Sequence, residues 1–360
     1  MENILMPREI CEQVLMIGVY YKNNAPGGMA AVIQYYEKYF EKLHYISSWK
    51  DGCKITKLYY YIKAYTICLI NLIFNPKIRV IHIHTAADNS FWRKTKFIKL
   101  AKHFNKKVII HVHASRFKDF YNESTQKEKI KKYLNMTDKI IVLSNSWRDW
   151  FINIGIDSTK IIVLNNIVTY PKIQQIKEDA NKIKMLFLGE IGKRKGVFDI
   201  LTAIARNSNY YKDKIIFKIG GNKNEEQLQS FIQSNNLQSF VKFEGWIAGE
   251  KKEKLLNWAD IFILPSYNEG LPIAILEAMS YHTAIISSPV GGIPEIITHN
   301  KNGILVTPGN TKEIDEAIKY CINNPQQLQC FKTTNQTIIK EFYPDFVLNH
   351  LKQIYTSLLL

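Results

Sequence analysis

The chain has 360 residues, 46% of them apolar and 22% charged, which is a globular composition in a length that suits two cores better than one. Lysine and arginine number 48 against 32 aspartates and glutamates, and the resulting net charge of +16 calls for an anionic partner such as an acidic membrane surface or a phosphorylated substrate. The lysines are scattered along the chain (Lys94, Lys96, Lys99, Lys102, Lys106, Lys107) and no nucleic-acid module is recognisable, so nucleic acid is not expected among the partners.

No run of about 18 apolar residues offers a membrane span, and no N-terminal stretch has the pattern of a cleaved leader. Cys11, Cys53, Cys68, Cys321 and Cys330 form neither a C-x-x-C nor a zinc spacing and read as reduced packing thiols, so a cytosolic location is expected.

In chain order, Val14 to Tyr20 reads as a buried strand, followed by a loop ending in Gly27-Gly28 and a helix from about Met29 to Leu43. Strand, glycine loop and helix make a phosphate-binding arrangement, although the same glycines also suit a tight turn. From Ile55 to Phe74 tyrosines and aliphatic residues alternate with Lys57 and Lys63; the segment fits either a helix packed on a sheet or one lying in a membrane interface. Arg79 to Thr85 and Lys107 to Ala114 are strands separated by a helix from Trp92 to Phe104, hence βαβ units in a parallel sheet. His82 and His84 share one face of the first of these strands, and His111 and His113 one face of the second. Such pairs suit a metal, a ligand crevice or backbone partners. Lys139 to Ser144 and Lys160 to Leu164 continue the alternation, and the polar stretch 169–182 reads as a linker.

A second α/β series follows. Lys184 to Leu188 leads into Gly189-Glu190-Ile191-Gly192-Lys193-Arg194-Lys195-Gly196 and a helix from Val197. Strands near 215–219 and 241–243, helices near 225–233 and 251–259, and a strand over 260–265 come next. After that strand the chain turns at Asn268 to Gly270 and starts a helix at Pro272, where a missing N–H costs nothing. Glu269 is thereby held in the turn. On a helical wheel Glu277 falls beside Ile273 and Ser280, away from the Ile275, Leu276 and Met279 side that would face a core. Strand, turn and proline-started helix recur over 284–296, before helices from Thr311 and around Phe346 to Leu359.

Lys193, Arg194 and Lys195 sit between glycines where cations can neutralise a diphosphate, and the first amides of the helix after Pro272 form an anion site. There is no G-x-x-x-x-G-K-[ST], which removes P-loop hydrolysis, and no D-x-D, which removes the usual sign of a metal-bound nucleotide sugar.

The E-x7-E spacing of Glu269 and Glu277 inside PSYNEGLPIAILEAMS, with VGGIPEII, NGILVTPG, FEGW and the loop ending Lys195-Gly196, resembles the retaining nucleotide-sugar glycosyltransferases of family 4. The likeness is dense from about 184 to 308; before that it rests on Gly27-Gly28, IHIH, HVHAS at 111–115 and VLSNSW at 142–147. It implies the GT-B fold, α/β, with two Rossmann-like domains facing each other across a crevice. The domains expected are 1–170 on the acceptor side, 171–340 for the nucleotide sugar, and 341–360 as a helix returning to the first domain. By the same resemblance Glu277 binds the ribose, Glu269 lies against the donor sugar and His113 near the sugar and acceptor. Gly270, Leu271, Lys195 and Arg194 hold the diphosphate, and Gly28 approaches it. Where the family usually has arginine after a glycine, this chain has Glu190, and Arg194 is the candidate replacement.

The implied reaction is transfer of a hexosyl group from a nucleotide-diphosphate sugar to a hydroxyl of a polyprenyl-linked or surface polysaccharide acceptor, with no cofactor and no essential metal. Such an enzyme would work in the cytoplasm, peripherally on the anionic inner face of the plasma membrane. A nucleotide-sugar epimerase or hydrolase, or a noncatalytic binder, is the alternative on the same fold.

Overall fold

The computed structural model describes residues 4–23, 25, 27–173 and 182–360. Residues 174–181 of the expected linker, and Asn24 and Pro26 of the first glycine loop, lie outside them. The chain forms two compact units, one of residues 1–168 with 342–360 and one of residues 169–341.

In the first unit six parallel strands are laid out in the order β2-β1-β3-β4-β5-β6: β1 is Val14–Gly18, β2 Tyr45–Ser47, β3 Val80–Thr85, β4 Lys107–Val112, β5 Lys139–Val142 and β6 Ile161–Val163. A parallel sheet is covered on both faces by its crossover helices, so its strands need no polar face. Accordingly every residue of β1 and β3 is buried. The helices Lys54–Phe74 and Asp88–His103 supply Ala64, Cys68, Leu72, Phe91, Phe97 and Ile98 to one core with Ile17, Ile83 and Ile110. Inside that core the Lys94 amine, 2% exposed, donates to the Gly18 carbonyl and to Ser48 Oγ and so ties the carboxyl end of β1 to the residue after β2.

The helix Pro344–Leu359 belongs to this unit although it follows the second in sequence. The Val168 amide donates to the Phe342 carbonyl (3.0 Å) where the chain leaves and re-enters. Val347, Leu351 and Tyr355 of the helix are buried, and the Tyr355 hydroxyl meets His82 Nδ1 at 2.6 Å.

The second unit also has six parallel strands, ordered β12-β11-β10-β7-β8-β9: β7 is Ile183–Leu188, β8 Ile215–Gly220, β9 Val241–Phe243, β10 Ile261–Leu264, β11 Ala284–Ser287 and β12 Gly303–Leu305. The strand succession reverses between β7 and β10, which pair through Ile261 with Met185 and Phe262 with Leu186. At such a reversal the loops leaving two neighbouring strands diverge, and the carboxyl ends of those strands frame a crevice for ligand. The structure adds β2 and the helices Phe117–Glu123, Lys127–Asn135, Asn145–Asn153 and Pro325–Ile338 to the elements expected from sequence.

Replacing Tyr355 by Phe leaves His82 with neither ring nitrogen hydrogen-bonded, since its Nε2 has no partner among the described residues. A buried orphaned polar group costs about 1–3 kcal/mol. Urea denaturation of Tyr355→Phe is therefore expected to show a loss of that size, and an unchanged midpoint would contradict the anchoring role.

Candidate active site

The two loops that diverge at the β7–β10 reversal are the ones that carry the charged residues. After β7 the chain passes Gly189 and makes a single tight turn, Lys193–Lys195, closed by Gly196 at φ 73°. A Cβ on Gly196 would lie 2.4 Å from the Pro265 carbonyl oxygen, so only glycine lets this loop seat against the exit of β10. The Tyr267 amide then donates to the Arg194 carbonyl (2.9 Å), and Arg194 Nη1 donates to the Asn268 carbonyl (3.4 Å). From the other side the Gly292 amide donates to the Gly270 carbonyl (2.6 Å), while a Cβ on Gly291, at φ 59°, would fall 1.9 Å from the Glu269 carbonyl oxygen.

This double clamp fixes Glu269, which is 7% exposed. Its Oε1 accepts from Lys195 Nζ (2.5 Å) and from the Ser266 hydroxyl (2.8 Å). The Lys195 side chain is 15% exposed, so the pair is shielded from water on most sides. Arg194 is more open; its Nη2 stands 3.9 Å from the Glu190 carboxylate, which also takes Lys223 Nζ at 3.1 Å.

The helix after the turn is Ile273–Ser280, with Pro272 as its N-cap residue and not the first helical residue. Pro272 provides no side-chain cap to its amino end. The sequence expectation of an outward-facing Glu277 is corrected here: Glu277 is buried, as are Ile273, Ile275, Leu276, Ala278, Met279 and Ser280. A carboxylate in that setting needs a charged or polar partner, and Lys252 from the helix Gly249–Trp258 supplies one, Nζ to Oε1 at 2.6 Å. Gly270 and Leu271 are buried in the turn between these two acids. The structure thus brings together Glu269, Gly270, Leu271, Glu277, Lys195 and Arg194 within the second unit.

Gly28 and His113 belong to the first unit. Gly28 is exposed and opens the helix Gly28–Tyr39 behind Gly27, whose φ of 111° suits glycine alone. His113 follows β4, with its amide donating to the Thr85 carbonyl (2.9 Å) and its Nε2 2.9 Å from His84 Nδ1.

Among the described residues His82 and His84 of β3, His111 of β4 and the half-buried His113 just after it do not bond to the backbone through their rings, and the first three do not lie open in a crevice. His82, His84 and His111 are at most 1% exposed, and their rings stack: 4.4 Å between the centroids of His82 and His84, 4.1 Å between His111 and His113. Nitrogens of His82, His84 and His111 lie within 4.8 Å of one another. Imidazole binds a metal in its own plane, however, and the His82 plane lies within 20° of His84 and 14° of His111. Stacked planes so nearly parallel do not meet near a common point, so a metal would require the rings to turn. Burial, reinforced for His82, His84 and His111 by neighbouring imidazoles, holds all four below the usual histidine range, His82 and His113 to about 3. The stack is neutral at physiological pH.

Two family models match the chain in adjoining blocks: "Glycosyltransferase Family 4" over residues 36–169 and "Glycosyl transferases group 1" over residues 170–337. The chain belongs to the glycosyltransferases of the family 4 type. An uncharacterized glycosyltransferase of Methanocaldococcus jannaschii is 28% identical over 68% of this chain and 67% of its own length. A 2-deoxystreptamine N-acetyl-D-glucosaminyltransferase of Niallia circulans is 24% identical over 76% of each chain. An amylovoran biosynthesis glycosyltransferase of Erwinia amylovora is 27% identical over 52% of this chain and 48% of its own. Among solved structures, sucrose-phosphate synthase of Thermosynechococcus elongatus superposes with a TM-score of 0.78 (98% and 99% covered, 16% identity). Anabaena HepE in complex with UDP superposes with 0.74 (96% and 100% covered, 16% identity). Identities this low speak for the fold alone, which is the GT-B fold.

In this glycosyltransferase two partners of the acids escaped the sequence reading. Ser266 stands three residues before Glu269, a spacing at which a turn brings hydroxyl and carboxylate together, and that signal was available. Lys252 carries no such mark among 48 lysines and arginines.

Neutral buried imidazoles make stability depend on pH. The unfolded chain takes up protons on these histidines from about pH 6.5 downward, whereas the folded chain resists until far lower. Their contribution is therefore complete above about pH 7 and falls as pH drops, by about 1.4 kcal/mol per pH unit for each imidazole that stays neutral only when folded. Calorimetric melting between neutral and mildly acidic pH should show this decline. His111, with neither ring nitrogen bonded among the described residues, can be replaced by leucine with a flatter pH profile and little loss at neutral pH.

Proposed function

We propose that the protein is a retaining hexosyltransferase that uses a nucleotide-diphosphate sugar and a hydroxyl of a lipid-linked or surface polysaccharide acceptor, working at the inner face of the plasma membrane. The observation that carries this reading is the cluster of Lys195, Ser266 and Glu269 beside the amino end of the helix Ile273–Ser280, to which Pro272 gives no side-chain cap. It combines a cation, a carboxylate and the positive end of a helix dipole at the strand-order reversal of the second unit.

In this reading the diphosphate lies against the first-turn amides with Lys195 and Arg194, Gly28 supplies a further backbone contact to phosphate, and Glu277 receives the ribose hydroxyls while sharing its charge with Lys252. Glu269 orients the donor sugar, and His113, neutral, accepts or donates a hydrogen bond at the sugar and the acceptor hydroxyl. The bond from the anomeric carbon to the diphosphate oxygen breaks, and the acceptor oxygen bonds the same face of that carbon. The acceptor proton passes to the departing phosphate oxygen. No protein nucleophile is required; the demand on the protein is to stabilise charge accumulating on the leaving diphosphate, which preorganised cations and amides do. The positive charge comes from side chains, so no metal is essential. HepE in complex with UDP makes UDP-hexoses the first donors to try, and the amylovoran enzyme makes a polysaccharide the first acceptor class.

The test is transfer by purified protein from a panel of UDP-, GDP- and ADP-hexoses, with the anomeric configuration of the product read by NMR and a chelator present in parallel. Retention, activity that persists in chelator, and a fall of kcat by about 10²–10³ in Lys195→Met and in Glu269→Gln are expected. An inverted product, or full activity in either variant, would overturn the mechanism. Conversion of the donor at full rate without acceptor would identify the epimerase or hydrolase alternative.

A further inference from the structure

The helix Lys54–Phe74 buries only a narrow face. Ala64, Cys68 and Leu72 are fully covered, with Tyr61, Tyr65, Ile67 and Leu69 packed partly against the core. Along the opposite side the exposed residues are apolar apart from Thr66. Ile55 is 80% exposed, Leu58 58%, Tyr59 56%, Ile62 54%, Ile73 52% and Phe74 77%. At 100° per residue these positions, except Phe74 at the end, fall within about 50° of one line along the helix. That line runs for about 30 Å, the length of a 21-residue helix.

Isolated exposed apolar side chains need no explanation, but a stripe of several on one helix face does. The electrostatics around it select the partner. Residues 52–74 contain no acid, Lys54 and Lys63 flank the stripe on either side, and Lys50 lies over the rings of Tyr20 (4.5 Å) and Tyr60 (5.8 Å) at its amino-terminal end. Aliphatic residues along the centre, tyrosines beside them and lysines at the margins match the depth profile of a bilayer interface, with hydrocarbon, carbonyl and anionic headgroup levels in turn. Among the described residues no helix is long and apolar enough to cross a membrane, so the arrangement suits a helix that lies on the surface.

We infer that the outward face of the helix Lys54–Phe74, centred on Ile55, Leu58, Ile62 and Ile73, docks the first unit onto an anionic lipid bilayer. The inference rests on the membrane location proposed above and assigns it to one surface. It also gives the acceptor reading a physical basis, because an enzyme held at the interface meets a lipid-linked substrate by diffusion in two dimensions.

The experiment is co-sedimentation of the full chain with phosphatidylglycerol-containing vesicles and with pure phosphatidylcholine vesicles. It compares wild type with the triple variant Ile55→Gln, Leu58→Gln, Ile62→Gln, and includes Lys54→Glu with Lys63→Glu. All five side chains point to solvent, so folding is not at stake, and melting temperature together with transfer to a water-soluble oligosaccharide checks it. Wild type should partition to the anionic vesicles and release at high salt, and both variants should partition roughly tenfold less, with transfer to the soluble acceptor retained. Equal partitioning of wild type and triple variant would overturn the assignment while leaving a membrane location standing. No partitioning by wild type, with soluble transfer intact, would overturn both docking and location and leave the transferase reading untouched. A wild-type dimer in analytical ultracentrifugation that becomes a monomer in the triple variant would replace the bilayer by a second copy of the chain.

Discussion

The arrangement of the second unit turns on one shielded ion pair, Lys195 with Glu269. Two charges removed from water gain little net stability from each other, because desolvation offsets most of their attraction. The pair is nevertheless surrounded by costly local solutions: a left-handed Gly196 pressed against Pro265, a left-handed Gly291 pressed against Glu269, and backbone bonds that link three separate loops. All of them hold a cation and a carboxylate next to a helix start to which Pro272 gives no side-chain cap. Stability alone would be served as well by an apolar contact of the same volume, so the expense is intelligible as preparation for an anion that arrives later.

The first unit solves a different problem with polar groups. Its parallel sheet is sealed on both sides, yet β3 and β4 place three imidazoles and Asp88–His103 places an amine inside the sealed layer, with His113 half-buried just beyond β4. The imidazoles remain neutral and satisfy part of one another through stacking, the His84–His113 bond and the Tyr355 hydroxyl. His113 is consequently held at the edge of the stack by a neighbour that fixes its orientation. A charged imidazole could not be kept there without a counter-ion, and no carboxylate is among the partners described for the stack.

Much of both sheets was legible in the amino-acid sequence because parallel strands carry a strong signal: short runs such as Ile261–Leu264 and Ala284–Ser287, bounded by turn residues, leave few alternatives. Elements without that signal were missed for physical reasons. Tyr45–Ser47 is three residues long, and Pro325–Ile338 carries Thr333, Thr334, Asn335 and Thr337, whose intrinsic helix preference is low, so that inward packing of Leu328, Phe331 and Asn335 helps to hold it in place. Glu277 was misread for a related reason. A wheel assumes that one side of a helix faces water, but Ile273–Ser280 packs between β10, β11 and the helix Pro325–Ile338, leaving no such side. The grouping of the candidate site followed from motif spacing, whereas Lys252, brought to Glu277 by a contact between distant segments, could not.

The helix Pro344–Leu359 has a consequence for biosynthesis. Tyr355 closes on His82 across 273 residues of sequence, and everything in between includes an entire second unit. On a ribosome residues 169–341 form a continuous piece that can finish folding as soon as it emerges. The first unit, begun earlier, waits with its sheet partly uncovered until residues 342–360 appear. The order of completion is thus the reverse of the order of synthesis, and the interval in which the core around β3 stands open is set by the translation time of the other unit.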